Sequence, residues 1–178
     1  MRVTIARDEL LTALQRVQGV VEKRNTMPSL SNVLLEAKRE GLDILATDLE
    51  LGMRGQYNAQ VEEPGSVTFS ARKLYEILKE IKESEISLAV TDHSLVNIRA
   101  GRSQFKVVGL PSKDFPPLPA IEREGLIPLP GTSLLQLIRK TLFAVGDNDT
   151  RYVLNGELIT LLTVGGKSMI RLVGTDGH

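Results

Sequence analysis

The chain has 178 residues, 42% of them hydrophobic and 25% charged, with 22 basic and 22 acidic side chains and no cysteine. That length suits one to one and a half globular domains with a real core, and zero net charge gives no sign of nucleic acid, although a balanced total leaves room for a basic face. No apolar run approaches the roughly 20 residues of a membrane helix and no basic-then-apolar leader opens the chain, so a cytoplasmic, bacterial-type setting is expected.

The first element is VTIARDEL, residues 3–10, a short alternating strand running into a helix predicted over 8–21. Leu10, Leu11, Leu14, Val17 and Val21 fall on one side of that helix, with Arg16 and Lys23 nearly opposite. Three strands follow, SNVLLEAK, LDILATDL and GQYNAQV, the first two separated by a turn at Glu40 and Gly41. VTFSARKL, residues 67–74, then restarts the pattern. Its helix, predicted over 71–83, buries Leu74, Ile77, Leu78 and Ile81 and turns Arg72, Glu76, Lys79 and Glu83 outward. ISLAV, LVNIRA and SQFKVVGL complete this second unit, with a turn at Asp92, His93 and Ser94.

IPLPGTSLL, from residue 127, opens a third unit. Its helix is expected to start at a capping box of Ser133 and Gln136, to bury Leu134, Leu135, Ile138 and Leu142, and to present Gln136 and Lys140. Only RYVLNGELITLLTV and SMIRLVGT follow, hinged at Gly165, Gly166 and Lys167, so this unit lacks its last strand.

Leu10, Leu74 and Leu134 therefore mark a repeat of roughly 60 residues. Six of the eight prolines, Pro111, Pro116, Pro117, Pro119, Pro128 and Pro130, crowd between the second and third units. Proline cannot donate to a ladder, so the stretch reads as a linker. The expected architecture is α+β, with helices on one face of antiparallel sheets. Residues 1–120 form a complete two-unit domain and 121–178 an incomplete one, whose odd unit leaves an apolar stripe and a strand edge open.

A search for catalytic residues finds little. His93 and His178 are the only histidines, and neither has an imidazole or thiol partner at metal-ligand spacing, so no metal site and no cofactor are expected. Gly166, Lys167 and Ser168 resemble the end of a phosphate loop, but Leu161 stands where that motif needs glycine and the stretch joins two strands. Asp48 and Asp176 end equivalent strands, and recurrent turn aspartates account for them better than acid/base chemistry. Asn155 and Gly156 match positions inside a strand of the first unit, which points to a bulge.

Six strings carry a family resemblance: the N-terminal MRVTIARDELLTALQRVQGVVEKRNTMPSLSN, ATDLE, SARKLYEI, GRSQFKVVGLPSKDFP, RYVLNG and GTDGH. Together they make the chain similar, over its whole length, to the N-terminal part of the bacterial sliding clamp, the beta subunit of DNA polymerase III. The resemblance implies a clamp fold in which two chains close head to tail as a homodimer ring, helices lining the hole. It implies a processivity factor without catalysis of its own, which encircles double-stranded DNA without reading sequence. Partners would be the replicative polymerase, the clamp loader and repair polymerases, docking through short peptides.

By the same resemblance Arg24 and Arg72 are the DNA contacts of the first domain and Asn148 of the second, with Lys23, Arg16 and Lys140 as further cations of the lining. Leu154, Thr175, Gly177 and His178 match one wall of the peptide pocket. Lys73, Ile77, Phe105 and Val107 match the ring joint. The competing expectation is a repeat scaffold that binds proteins, not DNA, through its sheet edges.

Overall fold

Each repeat of the first unit lends its opening strand to the sheet of the other. The computed structural model describes residues 1–21, 28–91, 94–119, 126–147 and 149–178, which divide into two units, Met1–Ala120 and Ile121–His178. In the first unit the order is β1 (Arg2–Ala6), α1 (Arg7–Val17), β2 (Asn32–Lys38), β3 (Gly41–Thr47), β4 (Gly52–Tyr57), β5 (Ala59–Glu63), β6 (Gly65–Ser70), α2 (Ala71–Glu80), β7 (Glu85–Val90), β8 (Leu95–Ala100) and β9 (Ser103–Val108). Two antiparallel sheets result, ordered β5-β1-β7-β8-β9 and β4-β3-β2-β6. Thus β1 pairs with β7, Val3 opposite Leu88, and β6 pairs with β2, Val67 opposite Leu35. Even β5, outside β1, has a one-residue counterpart in the bridge of Leu110 to Thr68, outside β6.

The inner faces of both sheets and the stripes of α1 and α2 form one core. Leu10, Ala13, Leu14 and Val17 recur at helical spacing and are fully buried, as are Ala71, Leu74 and Leu78. Both helices are shorter than their apolar patterns suggest. α1 stops at Val17, whose carbonyl accepts the N–H groups of both Val20 and Val21. α2, whose Ser70 cap accepts the N–H of Lys73 at 3.3 Å, stops at Glu80 because Ile81 turns extended to place its side chain in the core. Arg7 ties one helix to the other: its Nε donates to the Leu78 carbonyl at 3.1 Å, occupying an acceptor that the end of α2 leaves open.

Two expectations fail in this unit. GQYNAQV is not one strand: the chain passes at Asn58 from β4 in one sheet to β5 in the other, so the first repeat has four strands after its helix. Nor is the proline-rich stretch a free linker up to residue 119. Phe115 and Leu118 pack on Leu34 and Leu45 on the outer side of the four-stranded sheet, and Ser66 donates to Ser112 at 2.7 Å. Prolines that cannot join a ladder can still strap one. Beside the strap lies buried Asp43, bonded by Lys38 Nζ at 3.0 Å and by Arg54. Burial pushes its pKa up, but the hydrogen bonds and charges of Lys38 and Arg54 outweigh that and hold it below the usual carboxylate value.

The second unit contains α3 (Gly131–Thr141), β10 (Leu158–Val164) and β11 (Lys167–Val173), the strands joined by a two-residue turn. Gly165 and Gly166 take φ 57° and 78°, which suits glycine and matches the twist of a hairpin. α3 begins after Pro130, two residues before the expected capping box, and no side chain caps it. None of its residues is buried: Leu134 and Ile138 are half-buried, Leu135 and Leu142 exposed. The stripe is present, but among the described residues of this unit a two-stranded sheet is all there is to cover it. RYVLNG is not strand; Tyr152–Leu154 form a 3-10 turn, and Asn155 and Gly156 precede β10 instead of bulging within it. Residues 126–130, the counterpart of β1 and β6, belong to no strand.

Candidate functional site

The outward helix faces carry modest charge. Arg16 on α1 is exposed, and Arg72 on α2 is tied to Glu76 one turn on, Nε to Oε1 at 2.8 Å, so part of its charge is spent within its own helix. α3 differs, because Arg139 and Lys140 sit in its last turn and the helix contains no acid. Cations there also suit the negative end of the helix dipole. Lys23, Arg24 and Asn148 lie outside the described residues.

In the second unit a single arginine gathers the turn before β10 and the segment after β11. Arg151 donates to Asp149 from Nε at 3.0 Å and from Nη2 at 2.8 Å, and Nη2 also reaches the Asp176 carbonyl at 3.2 Å. These bonds hold the Asp149 carboxyl below its usual range. Asn155 clips the same turn, its Oδ1 accepting the Asp149 N–H at 2.9 Å and its Nδ2 donating to the Asp149 carbonyl at 3.0 Å. Leu154 is half-buried in this turn, and its carbonyl accepts the Gly146 N–H at 2.8 Å. Thr175, Gly177 and His178 are exposed in the segment that Arg151 holds. From sequence, Arg151 has no role and Asn155 falls in a bulge, whereas both clip the Asp149 turn; the signal was the charge alternation in GDNDTRY followed by an asparagine four residues after the arginine.

The two strand-end aspartates do the same work, and it is structural. Asp48 Oδ1 accepts the N–H of Glu50 at 2.9 Å and of Leu51 at 2.6 Å; Asp176 Oδ1 accepts that of His178 at 3.1 Å. The threonine before each repeats the pattern, Thr47 Oγ1 accepting from Leu49 and Thr175 Oγ1 from Gly177, both at 3.0 Å. Among the described residues no group of three or more His, Cys, Asp or Glu side chains is placed to hold a metal ion.

At the edge of the five-stranded sheet, β9 sets Phe105 opposite Ile98 and Val107 opposite Val96. Phe105, Val107 and Ile77 are half-buried against the core, while Lys73 and Val108 are exposed. The apolar pair therefore serves the fold of this unit whatever meets the strand edge beside it.

Comparison with known proteins agrees along the whole chain. The profile of the DNA polymerase III beta subunit, N-terminal domain, matches residues 1–119. The beta sliding clamp of Caulobacter vibrioides (strain NA1000 / CB15N) is 41% identical over 180 residues, covering 100% of this chain and 48% of the relative. That of Pseudomonas putida is 38% identical over 179 residues, with the same coverage. Among solved structures, the Bartonella birtlesii sliding clamp bound to griselimycin aligns with a TM-score of 0.91 at 36% identity, over 100% of this chain and 48% of that one. The Caulobacter crescentus beta subunit aligns with a TM-score of 0.85 at 41% identity, over 100% and 49%. The chain thus spans about half the length of the relatives it matches. With its exchanged two-repeat unit, its α+β clamp fold and these matches, it belongs to the beta sliding clamp family of DNA polymerase III.

Proposed function

We propose that this chain contributes the first domain, residues 1–120, and the opening part of a second, 121–178, to a clamp that encircles duplex DNA and tethers the replicative polymerase. The observation that carries the reading is the match of its whole length to clamp structures, on a unit in which two exchanged repeats bring two helices onto one core. A ring holds DNA by topology, so its lining needs only modest, sequence-blind cations. Arg16, Arg24, Lys23, Arg72, Asn148 and Lys140 are its candidates. It acts without catalysis of its own, in the cytoplasm. The turn held by Arg151, with Leu154, Thr175, Gly177 and His178, supplies one wall for partner peptides of polymerases and the clamp loader. Lys73, Ile77, Phe105 and Val107 flank the edge that closes the homodimer ring.

The test is topological. A chain of this sequence carrying the further repeats of its relatives is loaded on nicked circular DNA, and the DNA is then linearised. Retention on the circle and release on cutting support the reading. Absence of retention on either form, with peptide partners still bound, would favour the protein-binding scaffold instead.

A further inference from the structure

Asn155 is the one asparagine of the chain that a glycine follows. Glycine has no Cβ to shield its nitrogen, so in an Asn-Gly pair the following backbone nitrogen readily attacks the asparagine amide. Here that amide is a clip. Its Oδ1 accepts the Asp149 N–H at 2.9 Å and its Nδ2 donates to the Asp149 carbonyl at 3.0 Å, so one side chain closes both backbone groups of one residue.

The turn also holds the reaction back. Ring closure needs the Gly156 nitrogen to eclipse Cβ of Asn155 about its Cα–C bond. At ψ 12° that nitrogen eclipses the residue's own nitrogen instead. The substituents of Cα are spaced about 120° apart in projection, so ψ must swing by roughly a third of a turn before the ring can close. The two bonds to Asp149 oppose that swing. Arg151 fastens the other half of the turn, donating to the Asp149 carboxylate from Nε at 3.0 Å and from Nη2 at 2.8 Å. Every atom involved lies within residues 149–156.

We infer that Asn155 is a self-modification site gated by the opening of this turn. In the open turn the Gly156 nitrogen loses its proton to solvent and bonds to Cγ of Asn155; the bond from Cγ to Nδ2 breaks, and ammonia leaves with a proton taken from water. Water then adds to either carbonyl of the resulting imide, and cleavage of the ring C–N bond gives aspartate or isoaspartate. Nothing is oxidised or reduced. The product cannot restore the clip, because a carboxylate only accepts: the Asp149 carbonyl loses its donor, and a second negative charge enters the turn that holds Asp149. The inference stands whether or not Leu154 meets a peptide.

The full chain, its Arg151→Ala and Gly156→Ala variants and a synthetic peptide of residues 149–160 are kept in mildly alkaline buffer. Mass spectrometry follows the exchange of amide for acid at Asn155, and circular dichroism establishes that each variant remains folded. The peptide should react fastest and the full chain more than about tenfold more slowly, with Arg151→Ala between them. Gly156→Ala should be inert, and a Cβ there meets no atom within 4 Å. In Asn155→Asp, hydrogen exchange at the Asp149 amide should be faster than in the parent. A full chain that reacts at the rate of the peptide, an Arg151→Ala variant no faster than the parent, or unchanged exchange at Asp149 in Asn155→Asp overturns the inference.

Discussion

Leu49 and Gly177 occupy the same left-handed position of the same turn, at φ 81° and 88°. In each case the turn is a Thr-Asp pair that bonds the two N–H groups following it. One repeat fills the position with glycine, which adopts it freely, and the other with a leucine whose side chain is exposed. Leu49→Gly should therefore stabilise the first unit by about 0.5–1 kcal/mol, the relief of left-handed strain less the added freedom of the unfolded chain. A lower denaturation midpoint in urea would mean that the leucine side chain contributes more than its backbone costs.

Arg7 sits at the start of α1 and serves the end of α2, donating to the carbonyls of Leu78 and Lys79. Arg7→Ala should cost about 1–2 kcal/mol, with the loss concentrated at that helix end. Hydrogen exchange locates it: the last turn of α2 should lose protection before the sheets do. Uniform loosening would assign Arg7 a different role.

Asp43 makes stability depend on acid. Its folded pKa is lowered, so its contribution is complete above its unfolded value and disappears as pH falls through the folded one. Asp43→Asn should be less stable than the parent by about 1–2 kcal/mol at neutral pH, the half-exposed Lys38 and Arg54 being partly screened by water. Thermal unfolding should show that gap closing below about pH 4. A gap of unchanged size at about pH 3 would remove the ionic explanation.

Phe115 anchors the strap on the outer sheet face. Phe115→Ala should destabilise the first unit by about 3 kcal/mol and open residues 111–119 to protease. Unchanged resistance to cleavage would show that Leu118 and the Ser66–Ser112 bond suffice.

In a chain long enough to close a ring, Lys140→Ala and Arg24→Ala should each lower the salt dependence of DNA binding by about one unit of slope. Arg72→Ala should lower it by less, because Glu76 already holds that guanidinium. Equal effects at Lys140 and Arg72 would mean that the ion pair opens on DNA.

The sequence made the repeat, the starts of α1 and α2 and the burial of Leu10, Leu14, Leu74 and Leu78 legible, because periodicity within a dozen residues encodes them, whereas the capping box expected for α3 did not form. The exchange of β1 and β6 was not visible, since alternation says which face a strand buries and nothing about which strand lies beside it. For the same reason GQYNAQV looked continuous across Asn58, although its halves lie in different sheets. The proline-rich stretch was misread because a rule about ladders says nothing about packing on a sheet's outer face. RYVLNG carried strand-forming residues that the bonds of Arg151, Asp149 and Asn155 drew into a turn, and those bonds span gaps that local patterns do not reach.

The pairing of Arg2 with Ala89 has a consequence for biosynthesis. Met1 is held as well, its carbonyl accepting the Val90 N–H at 2.9 Å. During synthesis β1 can meet β5 once Glu63 has been added, but its other neighbour, β7, exists only after residues 85–90 are made, so the five-stranded sheet and the core beneath it close late. Throughout that interval Val3 and Ile5 are exposed in the nascent chain, so a slow codon stretch before residue 85 would lengthen the time in which a chaperone, or another nascent chain, can bind them.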